Sequence, residues 1–180
     1  AAPSGLVFLT GCGRSGTTVL GTILGQRPDL TYINDQFRLW TGAFAVGDIW
    51  GFGPGDGDAR IALDRRDITP EGRDAVFARL EAQRNGSAII VEKLAINNFR
   101  LPFLRALAPS ARYINILRHG VEVARSIEQK LLAGEWYGEG DRKWRLLVEH
   151  AESCGLGELA ASCRTPYEQG LREWRISVEA

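Results

Sequence analysis

The sequence predicts an α/β fold in three layers, with helices on both faces of a central parallel sheet. Three observations carry this expectation. Short apolar runs alternate with segments of helical composition along the chain. The runs are continuous rather than alternating, as in strands buried on both faces. The first of them breaks into a glycine-rich turn that leads directly into a helix. At 180 residues the chain has the length of a single domain and can bury a sizeable core.

Leu6 to Thr10 (LVFLT) is the first apolar run, and Thr17 to Gln26 the first helix. Thr31 to Ile33 is a second short strand, leading into Asn34-Asp35-Gln36 and an aromatic stretch through Trp40. Glycine is frequent from Gly47 to Gly57, with Pro54 among them, and a mobile loop or lid is expected there. Thr69-Pro70-Glu71 combines an N-cap, a first-turn proline and an acidic first turn, opening a helix to about Arg84. Asn85-Gly86 ends it, and Ala88 to Val91 forms the next strand. A helix from Phe99 to Leu107 requires Pro102 in its first turn. Arg112 to Leu117 (RYINIL) is the fourth strand, followed by Arg118-His119-Gly120 and a helix over Val121 to Ala133. After a break at Gly134 to Gly140, Lys143 to Ala151 and Tyr167 to Glu179 are helical, with a further short helix between them. In such folds ligands gather at the carboxyl ends of the strands, where both glycine-bearing turns lie.

Composition narrows the function classes. Apolar and charged fractions of 44% and 24% are those of an ordinary globular protein. Twenty-two basic residues balance 22 acidic ones, so charge points to neither nucleic acid nor membrane, and any anion site must be local. Lysine occurs only at 93, 130 and 143 in an otherwise arginine-based set. Cys12, Cys154 and Cys163 form no CxxC pair, and with two histidines they make a poor inventory for zinc or a disulfide framework. No metal site is expected. No apolar run approaches the ~20 residues of a membrane span and no signal peptide is visible, so a cytoplasmic protein is expected.

The main chemical signal is Gly11-Cys12-Gly13-Arg14-Ser15-Gly16-Thr17-Thr18. Glycines let the backbone turn tightly so that several N–H groups converge on one anion. The following helix adds unpaired N–H groups and the positive end of its dipole, while Arg14, Ser15, Thr17 and Thr18 supply further donors. A Walker A loop needs Gly-x4-Gly-Lys-[Ser/Thr], and Thr17 stands where the lysine belongs. A kinase built on this loop would need its cation from elsewhere. Further on, Arg118 closes a strand and Ser126 follows two turns into the next helix, a spacing that lets both approach one anion.

Phe8 to Thr18 resembles the 5′-phosphosulfate loop of sulfotransferases that use 3′-phosphoadenosine 5′-phosphosulfate (PAPS). Ala111 to Gly120, continuing to Ser126, resembles that family's 3′-phosphate segment. Glu92-Lys93 followed by Asn97 to Leu104, and Glu173 to Glu179, are similar to further segments of such chains. The Arg-Ser-Gly-Thr-Thr form is similar to the branch holding tyrosylprotein and carbohydrate sulfotransferases. The chain departs from the pattern at His119, usually Asp or Asn, and at Leu94-Ala95, usually Thr-Pro. Family members run past residue 180, so C-terminal family segments are expected to be lacking here.

The resemblance implies a P-loop-like nucleotide fold and metal-free, in-line sulfuryl transfer from PAPS to an acceptor hydroxyl or amine, leaving adenosine 3′,5′-bisphosphate. It implies that Gly13 to Thr18 hold the 5′-phosphosulfate, that Arg14 stabilises the leaving oxygen, and that Arg118 and Ser126 hold the 3′-phosphate. Lys93 matches a lysine at the sulfuryl group, and Asp35 stands where tyrosylprotein sulfotransferases carry a glutamate base. Glu92 is the rival base, since it ends a strand predicted to face the same crevice. His119 belongs to the 3′-phosphate segment and His150 to a helix surface. A small-molecule kinase and a non-catalytic nucleotide-binding relative are the alternatives.

Overall fold

The four apolar runs become four parallel strands in the computed structural model, which describes residues 1–52, 58–158 and 162–179. They are β1 (Leu6–Thr10), β2 (Leu30–Asn34), β3 (Ile89–Lys93) and β4 (Arg112–Asn115), ordered β2-β3-β1-β4. Because β1 lies between β3 and β4, the turn that follows it opens beside the ends of both.

The sheet is covered on both faces. On one, α1 (Thr17–Leu24) sets Leu20 and Leu24 against Leu9, Leu30 and Val91. On the other, α2 (Phe37–Thr41), α3 (Pro70–Gln83) and α4 (Leu101–Leu107) pack Trp40, Phe77, Leu80 and Phe103 against Phe8, Ile33 and Ile90. Strand alternation divides the residues between these faces, and it later decides which of two neighbouring charged residues reaches the site.

The ends of the elements follow their local chemistry. Thr69 Oγ1 accepts the Gly72 N–H at 3.1 Å with Pro70 in the first turn, as expected for the start of α3. The helix expected from Phe99 begins instead at Leu101, after a 3₁₀ segment Ala95–Arg100, so that Pro102 occupies the first turn where its missing N–H is harmless. The helix α2 lies in the stretch read only as aromatic. At five residues it is too short to show a period.

Gly47 to Gly57 is not wholly the mobile loop that glycine content suggests. Gly47, Asp48 and Ile49 are buried, and the buried Arg100 guanidinium donates to Gly47 O at 2.8 Å and to Ile61 O at 2.9 Å. One side chain thus ties down the chain on both sides of the glycine run, whose residues 53–57, with Pro54, lie outside the described residues. The chain closes with α5 (Gly120–Leu132), α6 (Arg142–Ser153) and α7 (Pro166–Glu179), α5 and α7 packing against each other. Of the span between the last two, where a further helix is expected, residues 159–161 lie outside the described residues.

Candidate active site

The turn after β1 is shaped by conformations few residues adopt. Gly11 has φ +146°, and a Cβ there would lie 2.6 Å from the Ile116 carbonyl oxygen, so only glycine lets this turn press against the end of β4. Arg14 sits at φ +71°, in the left-handed region where a long side chain is uncommon. Strain of this kind concentrates at functional sites. Ser15 N–H closes the turn on Cys12 O at 3.1 Å, while the buried Ser15 Oγ has no partner. α1 then starts at Thr17 with no side-chain cap, leaving its first N–H groups open.

The second turn meets the first directly. Arg14 Nε donates to Ser126 Oγ at 3.0 Å, and Arg118 Nη1 donates to the Arg14 carbonyl at 3.1 Å. Arg118 also pairs with Glu122 at 3.0 Å, and its own carbonyl accepts the Trp174 indole N–H from α7 at 3.0 Å. Arg14, Arg118 and Ser126 therefore border one cavity of about 380 Å³, together with Gly13, Gly16, Thr17 and Thr18. His119 is exposed at the N-terminus of α5, where its carbonyl accepts the Glu122 and Val123 N–H groups.

A lysine, which the loop itself lacks, reaches it from β3. Lys93 Nζ donates to Thr18 Oγ1 at 2.9 Å and to Asp35 Oδ2 at 2.6 Å. Asp35 follows β2 with φ +46°, its N–H bound to Lys93 O at 2.8 Å, and its Oδ1 is buried without a partner. Loop threonine, lysine and aspartate thus form one chain of contacts on the α1 face of the sheet.

Glu92 belongs elsewhere. Strand parity turns it to the opposite face, where it is 1% exposed and accepts Trp40 Nε1 at 2.7 Å and Asn97 Nδ2 at 3.1 Å. It does not border the cavity, which corrects its reading as a rival base. Burial, opposed by these two hydrogen bonds, pushes its carboxyl from 4.5 up to about 7. The folded chain then holds this proton more tightly than the unfolded chain. The resulting stability is full below about pH 4.5 and is lost as pH rises through about 7. Glu92→Gln keeps an acceptor for Trp40 and removes the titration. Urea unfolding across this range should therefore show a flatter pH dependence, with the variant more stable than wild type at about pH 8.

A further cluster was not read from the sequence. A Cβ on Gly13 would meet the Trp136 ring at 2.7 Å, so this indole lies directly on the loop. Its N–H donates to Glu173 Oε2 at 2.7 Å, Glu173 Oε1 pairs with Lys143 at 2.5 Å, and the Lys143 ammonium lies 4.1 Å from the Trp136 ring centre. Lys143 and Glu173 are buried, and all three residues border the same cavity. Burial, followed by the Glu173 charge, raises the Cys12 thiol to about 12. One sequence signal pointed here: of three lysines in an arginine-rich chain, two border the cavity. His150, expected on a helix surface, is half-buried with its ring edge-on to Phe99.

No helix among the described residues is long and apolar enough to cross a membrane. Searches of curated proteins and of solved structures gave no match. The model of the sulfotransferase family matches residues 6–153, from the first residue of β1 to the last of α6, so both turns, Asp35, Lys93 and Ser126 fall within the matched span. The chain belongs to the sulfotransferase family.

Proposed function

We propose that this chain transfers the sulfuryl group of PAPS to an acceptor hydroxyl or amine. The observation that carries the reading is the junction of the two turns, where Arg14 bonds Ser126 and Arg118 bonds the Arg14 carbonyl beside one cavity. A donor with separate 5′ and 3′ anionic groups needs two adjoining anion sites, and the residues present fit that need. The unpartnered Ser15 hydroxyl and the uncapped start of α1 offer donors at the first turn; Arg118 and Ser126 offer them at the second.

When bound, PAPS supplies a sulfuryl group attached to a phosphate leaving group. The protein's task is then positioning and charge stabilisation. Gly13 to Thr18 hold the 5′ end, and Arg14 stabilises negative charge there. Arg118 and Ser126 hold the 3′-phosphate. Lys93, already bonded to Thr18 and Asp35, links the anion loop to the proton acceptor. Asp35 takes the acceptor's proton, with Oδ2 steadied by Lys93 and Oδ1 available. The test is transfer of ³⁵S from labelled PAPS. Wild type should label an acceptor, and Asp35→Asn should lose about 10²-fold in turnover while binding adenosine 3′,5′-bisphosphate normally. Undiminished turnover in Asp35→Asn would remove Asp35 from this role.

A further inference from the structure

The half of the cavity away from the two anion turns has a different chemistry. Phe37 from α2, Trp50, and Ala95, Ile96 and Phe99 from the 3₁₀ segment border it. Phe37 meets Trp50 edge to face, with ring centres 5.7 Å apart at 81°. The polar residues of this region are committed elsewhere. Asn97 is buried and donates to Glu92, and Asn98 Nδ2 donates to the Ser177 backbone and hydroxyl. On this wall, among the described residues, the Trp50 indole N–H is the one buried side-chain polar atom without a partner.

The apolar surface continues to the outside. Phe52, 51% exposed, lies 6.0 Å from the Phe37 ring centre, and Val19, 65% exposed, borders the cavity from α1. Scattered exposed apolar residues are ordinary. Here, however, Phe52 extends a pair of rings that border the cavity, and Asp35 and Lys93 border the same cavity.

Resting on the reading of the site as a sulfuryl-transfer centre, we propose that the acceptor is an apolar ring-bearing alcohol of the phenol or fused-ring class, and not a polyhydroxylated sugar. A ring stacks on the face of one of Phe37 and Trp50 and meets the other edge-on, with its hydroxyl directed to Asp35, and a second ring reaches Phe52. A sugar placed there would bury several hydroxyls against the side chains of Phe37, Trp50, Ala95, Ile96 and Phe99. Each hydroxyl left unpaired there would lower affinity. Face contact with aromatic rings gains affinity for a planar apolar body instead.

The experiment is calorimetric binding of 2-naphthol and of methyl β-glucoside to the full chain. It is done with and without saturating adenosine 3′,5′-bisphosphate, for wild type, Phe37→Ala and Phe37→Leu. Naphthol should bind at least about tenfold more tightly than the glucoside. Phe37→Ala should weaken naphthol about tenfold, with bisphosphate affinity unchanged. Phe37→Leu keeps the bulk without the ring face, and should show the same direction of change even where the alanine variant melts early. Glucoside binding equal to or tighter than naphthol, or naphthol binding that neither Phe37 variant alters, overturns the proposal. If naphthol is discriminated in this way but the bisphosphate does not bind, the apolar acceptor wall stands and the donor assignment alone fails.

Discussion

Arg14→Ala should lower sulfuryl transfer by about 10³-fold, the loss expected when a charged group aimed at a developing oxyanion is removed. Its melting temperature should stay close to that of wild type. Arg14 makes one side-chain hydrogen bond, to Ser126, and its φ of +71° gives alanine no advantage or large new penalty over arginine. Arg14→Lys separates charge from shape. Lysine keeps the cation but loses the planar fork that can reach Ser126 and an anion together, so it should recover only part of the rate. The check is steady-state transfer from PAPS alongside a thermal melt. A variant that turns over normally would remove Arg14 from the chemistry.

Glu173→Ala should destabilise the fold by about 3–5 kcal/mol, the cost of leaving a buried charge without its partner. Lys143 would lose its carboxylate and the Trp136 N–H its acceptor, in a cluster whose two charged members are 8% and 2% exposed at the side chain. Pairing the change with Lys143→Met should recover most of the loss, since an apolar replacement of similar volume removes the stranded charge. Guanidinium unfolding of the single and double variants measures both values. Additive losses would show that the pair does not act as a unit. The same variants should weaken anion binding at the loop, because Trp136 rests on Gly13 and would lose the contacts that fix its ring.

What the sequence revealed, and what it did not, follows the range of each interaction. The strand, turn and helix from Leu6 to Leu24 are set by neighbours in sequence, and they were readable there. Arg118 and Ser126 could be paired by spacing. That Arg14 bonds Ser126 depends on β4 lying beside β1, across 112 residues, and no local pattern encodes that strand order. The error at Glu92 was one of parity. Adjacent strand residues face opposite sides, so Lys93 at the site places Glu92 in the core. Trp136 and Glu173 lie 37 residues apart in a contact between a loop and the last helix, and only the scarcity of lysine hinted at their partner Lys143. Glu173 and Trp174 lie in a segment that was matched by resemblance without a task. The structure gives them one each, holding Trp136 and the Arg118 carbonyl.

The donor assignment turns on the 3′-phosphate, because that group separates PAPS from ATP, and Arg118 is the residue assigned to it. Calorimetric titration of wild type and Arg118→Ala with adenosine 3′,5′-bisphosphate, ADP and ATP tests this directly. The expected result is a clear preference of wild type for the bisphosphate, about tenfold or more, that disappears in Arg118→Ala. Equal or tighter binding of ATP by wild type would contradict the assignment and favour phosphoryl transfer at the same loop.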